Sequence, residues 1–207
     1  MPAQKRLLWL NIKLYGAWLA GVCIGGAGLW LLLSFLEPQP TDPLVDSAHS
    51  TAQLVLDAAA PERLIIPSIA LNTTFTESVG VDSAGAIAVP ATYSEVALYQ
   101  YGPTPGQPGP AVVVGHVDSI RGPAVLYNLK KVSVGDEVFV ERADGITAVF
   151  TVTEVEDLQQ SRFPTEKVYG DLDHAGLRLI TCTGTFNHAE QVYSHNLIVY
   201  AELIRQE

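Results

Sequence analysis

Cysteine and basic residues are scarce in this chain of 207 residues, and each scarcity excludes a class of protein. The two cysteines, Cys23 and Cys182, are too few for a small domain braced by several disulfides. Lysine and arginine together number 12, against 22 aspartates and glutamates, and they form no basic patch. This balance argues against binding to nucleic acid or to an anionic lipid surface.

One apolar stretch, residues 14–36, is long enough to span a bilayer. Its 23 residues would form a helix of about 35 Å at 1.5 Å per residue. A cleaved signal peptide is the alternative, but its apolar core is usually only about 7–15 residues long, and no small-x-small site follows residue 36. The basic residues of this region precede the stretch and Glu37 follows it. We therefore predict a cytoplasmic N-terminus over residues 1–13, a single-pass anchor in the cell membrane over residues 14–36, and an extracellular remainder.

The composition changes after the predicted anchor. Residues 37–61 are rich in Pro, Asp, Ser, Thr and Ala, which predicts an extracellular linker. Residues 62–207 are enough for one domain with its own core. Three of the 12 basic residues precede residue 37, so 9 remain against 22 acidic residues, a net charge of about −13. We interpret this charge as a solvated acidic surface.

Short apolar runs rich in Val, Ile, Thr and Phe recur through residues 62–207 and are separated by Gly, Pro, Asn and Asp. This pattern predicts an all-β barrel or sandwich. A hairpin turn is predicted at Ala143-Asp144-Gly145, because Gly145 is free to take positive φ. The predicted strands are Glu62–Ile66, Leu71–Phe75, Ala111–Val117, Glu137–Arg142, Ile146–Asp157, Leu177–Cys182 and Asn196–Leu203.

Cys182 is the only cysteine outside the predicted anchor, and this position suggests chemistry. A thiol is nucleophilic as a thiolate, which needs a nearby base or cation and partial exposure. His116 follows the apolar run Ala111–Gly115, and a histidine at the end of a buried strand suits a catalytic base. Alone, His116 is more often a structural histidine and Cys182 a small buried residue. Their combination in an extracellular domain without a disulfide favours a catalytic pair.

Three motifs resemble the sortases, membrane-anchored cysteine transpeptidases of Gram-positive cell surfaces. Arg63–Ile69 resembles the opening strand of that family, Gly115–Ser119 its histidine motif and Leu179–Cys182 its cysteine motif. The resemblance covers nearly all of residues 62–207. Further segments resemble the actinobacterial class F branch, namely Gly109–Ala111, Gly122–Tyr127, Cys182–Asn187 and Asn196–Ala201.

The resemblance implies both a fold and an activity. The expected fold is all-β, an eight-stranded sortase-type β-barrel with short helices, preceded by one transmembrane helix. Cys182 would form an acyl-thioester with a C-terminal sorting motif of the Leu-Pro-x-Thr-Gly type on a secreted protein. An amine acceptor such as a cell-wall precursor would then release the acyl group. His116 would protonate the leaving amine and take a proton from the incoming one, and no cofactor or metal is expected.

The third residue of the expected site is where this chain departs from the family. The resemblance implies an arginine on the strand after the cysteine, but no arginine occurs between Arg178 and Arg205. Alignment of the apolar strand puts Asn196 at that position, whereas the class F pattern puts Ser194 there. Asn196 is our candidate because its amide can donate a hydrogen bond to an oxyanion.

Three other residues, a loop and a metal site are open alternatives for that third role or for a neighbouring one. Arg178 lies four residues before Cys182 and so on the same strand face, although a solvent-facing or ion-paired arginine is the simpler interpretation. His188 or His195 could supply a partial positive charge. Leu158–Gly176 resembles the family's loop over the substrate groove. A calcium site is the least specific possibility, and its oxygens would come from Asp118, Glu154, Glu156 and Asp157.

Three functions from different classes are consistent with the sequence. The first is an active transpeptidase that joins secreted proteins to an amine acceptor. The second is a cysteine hydrolase on the same fold, which passes the thioester to water. The third is a weakly active module that binds sorting signals, which the missing arginine would allow.

Overall fold

The computed structural model of the protein describes residues 54–82 and 85–207. The predicted N-terminus over residues 1–13, the predicted anchor over residues 14–36 and most of the predicted linker over residues 37–61 lie outside the described residues. Within the described ranges, no helix is both long enough and apolar enough to cross a membrane. The α-helix in these ranges, α1, covers Thr165–Tyr169.

Eight strands form one sheet in the order β2-β1-β7-β8-β10-β9-β4-β3, and β5 and β6 form a separate pair. The all-β prediction for this region is confirmed. Short 3-10 helices cover Pro67–Ile69, Tyr127–Lys131 and Gln160–Arg162. The strands are β1 Pro61–Ile66, β2 Leu71–Thr74, β3 Ala97–Leu98, β4 Gly109–Val114, β5 Asp118–Ser119, β6 Gly122–Pro123, β7 Glu137–Arg142, β8 Thr147–Gln159, β9 Ala175–Asn187 and β10 Val192–Gln206.

The sheet curls into a half-barrel, and its two edge strands meet just outside their ends. Phe75, which follows β2, forms a parallel bridge with Val96, which precedes β3. The Thr76 amide also donates to the Val96 carbonyl at 2.9 Å. This contact leaves fewer unpaired edge groups.

Strand β4, the first part of β9 and the middle of β10 are buried on both faces. Alternate residues such as Val113, Leu179 and Val199 point into the main core, which also contains Leu64 and Phe150. The residues between them form a second apolar cluster that includes Val168 of α1. Burial on both faces explains why these strands are continuous apolar runs in the sequence.

The predicted bounds agree with the structure to within two residues for β1, β2, β7 and β8. Glu137–Arg142 is observed with the predicted bounds, and Gly145 in the following turn has φ of 81°. The last two strands are much longer than the predicted Leu177–Cys182 and Asn196–Leu203. Their added residues pair mainly with each other as an exposed hairpin, so they need no apolar alternation. The strands β3, β5 and β6 have two residues each and carry no sequence pattern of their own.

The first described residues contact the loop before β4. The Leu56 amide donates to the Gly106 carbonyl at 2.8 Å, and the Leu56 side chain packs against the main core. The buried Arg142 guanidinium donates to the carbonyls of Asp57 and Pro105 and forms an ion pair with Asp144. These contacts hold the chain beside the sheet before β1 begins.

Candidate active site

Strand register places Cys182 at the end of the sheet's central region. It lies on β9 directly opposite Asn196 of β10. On the other side of β9, strand β4 is parallel and its last paired residue, Val114, lies opposite Ile180. Because β4 ends there, the chain turns away at Gly115 and leaves space beside Cys182. The predicted strand Ala111–Val117 is therefore too long, and His116 lies in the loop after β4.

Close packing holds the loop that carries His116. The Thr181 hydroxyl donates to the Gly115 carbonyl at 2.8 Å, and the Leu126 amide donates to the His116 carbonyl at 2.9 Å. A Cβ at Gly115 would lie 2.9 Å from Leu126 Cδ1 and 3.0 Å from Val125 Cγ1. A larger residue would require the Leu126 and Val125 side chains to move, so the packing favours glycine before the histidine.

The His116 ring is oriented by its backbone and aromatic neighbours. Its Nε2 lies 2.8 Å from the Pro90 carbonyl oxygen, and its ring centroid lies 4.4 Å from that of Tyr93. A carbonyl oxygen can only accept a hydrogen bond, so Nε2 carries a proton in this contact. The other nitrogen, Nδ1, is then the one available to exchange a proton.

Two clefts meet at Cys182. The first, of about 680 Å³, is lined by Cys182, His116, Asp118 and Tyr193 among others, and we call it the histidine cleft. The second, of about 440 Å³, is lined by Cys182, Asn196 and several apolar side chains, and we call it the apolar cleft. Its apolar lining includes Ile87, Val114, Phe163, Tyr169 and Ile180. A substrate that extends to both sides of Cys182 could therefore occupy both clefts.

The surroundings of Cys182 favour the neutral thiol. Burial raises the pKa of Cys182, and the negative charge of Asp118 raises it further. A half-buried thiol with a raised pKa reacts slowly unless a base accepts its proton. His116 lies in the same cleft and can fulfil that role.

The candidates for the third role lie in different places. Asn196 is half-buried, lies beside Cys182 and lines the apolar cleft. Ser194 lines neither cleft; its hydroxyl accepts from the Thr185 amide at 2.9 Å and contacts His195 Nδ1 at 2.7 Å. Asn196 is therefore the candidate that the structure places with Cys182.

Arg178 is on the strand face of Cys182 but does not reach either cleft. It is buried at 6% exposure, and its guanidinium carbon lies 4.9 Å from the centroid of the Tyr200 ring. Its NH1 donates to the Leu177 carbonyl, and its Nε has no hydrogen-bond partner among the described residues. Burial lowers its pKa. The Arg178 guanidinium is therefore buried against Tyr200, and it is not available to a substrate in either cleft.

Of the remaining candidates from the sequence, some line the histidine cleft and others lie away from it. His188 is exposed, lines the histidine cleft and stands edge-on to Phe186 at 5.0 Å between ring centroids. Glu154 and Glu156 both bind the Lys167 ammonium, at 2.7 and 3.1 Å, away from Asp118, which lines the histidine cleft. Over residues 54–82 and 85–207, no group of three or more His, Cys, Asp or Glu side chains is arranged to hold a metal ion.

The segment that resembles the family's groove loop borders the apolar cleft. Four of its residues, Gln160, Phe163, Thr165 and Tyr169, line that cleft. Burial raises the pKa of Tyr169 to about 12, so its hydroxyl stays neutral. The segment contains α1 and a 3-10 helix, which give it a defined backbone.

One functional contact was missed from the sequence. The Tyr193 hydroxyl donates to Asp118 Oδ2 across the histidine cleft at 2.5 Å. Burial and the Asp118 carboxylate raise the pKa of Tyr193 to about 12, so this hydroxyl keeps its proton. The two residues are 75 positions apart, and no local pattern links them.

Comparison with known proteins identifies the family. A family model described as the sortase domain matches residues 64–204, which is more than half of the chain. The sequence matches no curated protein.

Solved sortase structures share the fold at low sequence identity. A lid mutant of sortase A from Corynebacterium diphtheriae is 21% identical, with a TM-score of 0.55 over 72% of this chain and 73% of that chain. A lid mutant of Streptococcus agalactiae sortase C1 is 21% identical, with a TM-score of 0.53 over 73% and 72%. Sortase A of Listeria monocytogenes is 19% identical, with a TM-score of 0.52 over 73% and 90%. The family match and the shared fold agree with the motifs around His116 and Cys182, so the chain belongs to the sortase family and is a cysteine transpeptidase.

Proposed function

We propose that this sortase cleaves a sorting signal of the Leu-Pro-x-Thr-Gly type through a thioester on Cys182 and transfers the acyl group to an amine. The observation that carries this proposal is the position of Cys182, where the apolar cleft and the histidine cleft meet. A peptide bond at that point has an apolar surface on one side. On the other side it has a proton donor and acceptor.

The apolar cleft suits the acyl side of the sorting signal. Transfer of leucine and proline side chains from water to a surface lined by residues such as Ile87, Val114 and Phe163 lowers the free energy of the complex. Binding there would place the threonine carbonyl carbon at Cys182 and the glycine nitrogen toward His116. The amine would then leave through the histidine cleft.

Acylation follows from this orientation. As Cys182 Sγ attacks the carbonyl carbon, its proton passes to His116 Nδ1. The C–S bond forms, and collapse of the tetrahedral intermediate breaks the C–N bond to glycine. The proton on His116 then moves to the departing amine. His116 can alternate between base and acid because Nε2 stays engaged with the Pro90 carbonyl and leaves Nδ1 free.

Asn196 is positioned to stabilise the oxyanion of that intermediate. Its side chain lines the apolar cleft next to Cys182 and makes no hydrogen bond to another described residue that would compete. A carboxamide donates through neutral N–H groups, so it stabilises the developing charge less than a guanidinium would. We therefore expect a slower acylation step than an arginine at this position would allow.

We also propose the cellular setting that the sequence predicts. Residues 14–36 would anchor the enzyme in the membrane with its catalytic domain outside the cell, where secreted proteins with sorting signals meet the amine acceptor of the cell wall. The segments Gly109–Ala111 and Gly122–Tyr127 support assignment to the actinobacterial class F branch.

A single assay tests the proposed activity. The purified full-length chain is incubated with a Leu-Pro-Ala-Thr-Gly peptide, with and without an amine, and the adduct on Cys182 is measured by intact mass. A thioester on Cys182 and amine-dependent ligation are expected. Cleavage at a rate and to a product that amine does not change would identify a hydrolase instead. No adduct on Cys182 would overturn both activities and leave the binding module.

A further inference from the structure

Asp118 is an unneutralised carboxylate in the histidine cleft. Its side chain accepts a hydrogen bond from the neutral Tyr193 hydroxyl, and it forms no ion pair with any residue in the described part of the chain. The histidine cleft has no lysine or arginine in its lining. A carboxylate in such a cleft attracts a cation from solution.

This charge does not assist the first half of the reaction. The thiolate of Cys182 and the carboxylate of Asp118 repel each other, and this repulsion contributes to the raised pKa of the thiol. Once Cys182 is acylated, its sulfur is neutral and the repulsion is gone. The carboxylate is then compatible with the enzyme state that awaits the acceptor.

Aromatic side chains complete a surface that suits a primary ammonium group. Tyr93, Phe186 and Tyr193 line the same cleft as Asp118, and the Phe186 and Tyr193 ring centroids are 5.0 Å apart. An ammonium group is attracted by a carboxylate and by the faces of aromatic rings. His116, which would take a proton from the acceptor, lies in this cleft and does not line the apolar one.

We propose that Asp118, oriented by Tyr193, binds the ammonium group of the acceptor and so selects cationic primary amines in the second half of the reaction. This inference rests on the proposed function. The bound ammonium gives one proton to His116 and becomes a free amine, whose nitrogen forms the new C–N bond as the C–S bond breaks. Of the two protons that the nitrogen loses, one ends on Cys182 Sγ and the other leaves to solvent by way of His116.

A comparison of two acceptors tests the role of Asp118 in the full-length enzyme. With the Leu-Pro-Ala-Thr-Gly peptide as donor, kcat/KM is measured at pH 7 for glycinamide, which is mostly protonated, and for hydroxylamine, which is mostly neutral. In Asp118→Asn the ratio of the two values is expected to fall about tenfold, chiefly through a higher KM for glycinamide, because a charged hydrogen bond is lost. In Tyr193→Phe the same KM should rise by a smaller factor, because the carboxylate stays but is no longer held.

Glu62→Gln is the matched control. It removes the same charge from an exposed residue of β1 that lines neither cleft, so the ratio should stay at the wild-type value. An unchanged ratio in Asp118→Asn, with a normal thioester on Cys182, would overturn this inference and leave the proposed function intact. Failure of the wild-type enzyme to form the thioester would overturn the proposed function and this inference together.

Discussion

The two halves of the β9–β10 hairpin have opposite properties. The inner half, residues 175–182 and 196–203, is largely buried and apolar, and it packs against β4 and β8. The outer half, residues 183–187 and 192–195, is mostly exposed and pairs mainly with itself. Cys182 and Asn196 form the last pair of the inner half. The buried inner half therefore holds Cys182 and Asn196, and the exposed outer half presents Phe186 and Tyr193 to the histidine cleft.

The largest expected effect is on activity, at the boundary between the halves. Cys182→Ala should lower peptide cleavage and ligation by at least about 1000-fold, because the reaction loses its nucleophile. The half-buried cysteine adds little to packing, so the melting temperature should stay within a few degrees. Rates would be measured with the Leu-Pro-Ala-Thr-Gly peptide and stability by thermal unfolding. Activity near that of wild type would contradict the assignment of Cys182.

Truncation within each half tests the contrast in packing. Leu179→Ala in the inner half should lower the free energy of unfolding by about 2–5 kcal/mol, because it leaves a cavity in the main core. Phe186→Ala in the outer half should cost less than about 1 kcal/mol, because its ring is only half-buried. Chemical denaturation of both variants measures the difference. Equal losses would mean that the outer half is as tightly packed as the inner half.

Asn196 tests whether the inner half supplies the oxyanion donor. Asn196→Ala should lower kcat about 100-fold with little change in KM, because the hydrogen bond forms only as negative charge develops. Ser194→Ala, two residues along the same strand, is the control and should retain kcat within about threefold, since Ser194 lines neither cleft. A larger loss in Ser194→Ala than in Asn196→Ala would transfer the role to the outer half.

The smallest effect concerns the titration of the thiol. The raised pKa means that Cys182 stays protonated to a higher pH than an ordinary cysteine. Because iodoacetamide reacts with the thiolate, the midpoint of its pH-dependent alkylation of Cys182 should lie at a higher pH than that of an ordinary cysteine. Asp118→Asn removes the negative charge that disfavours the thiolate, so its curve should shift to lower pH. Glu62→Gln should leave the curve in place. A shift to higher pH in Asp118→Asn would contradict the electrostatic account of this cleft.

Local sequence patterns were sufficient for the inner half and insufficient for the outer half. The runs Leu177–Cys182 and Asn196–Leu203 are apolar because both of their faces are buried, so they are visible in the sequence. The segments Thr183–Asn187 and Val192–His195 form strands only because each pairs with the other. Their composition alone would equally suit a loop.

The candidate site shows the same division. Cys182 and His116 could be named from residue type, position and motif. Asn196 could be preferred to Ser194 and Arg178 only for the chemistry of its amide, because a shared strand face does not say how far a side chain is from a cleft. In the structure, Arg178 packs on Tyr200 while Asn196 lies beside Cys182.

The sequence by itself determined the all-β class, the sortase family and the two residues expected to form the reactive pair. These depend on local alternation, turn residues and short motifs, which neighbouring positions encode. Only the tertiary structure decided that two clefts meet at Cys182 and that Asp118 is held by Tyr193. Those features depend on which strands lie side by side and in what register, because they join residues far apart in the chain.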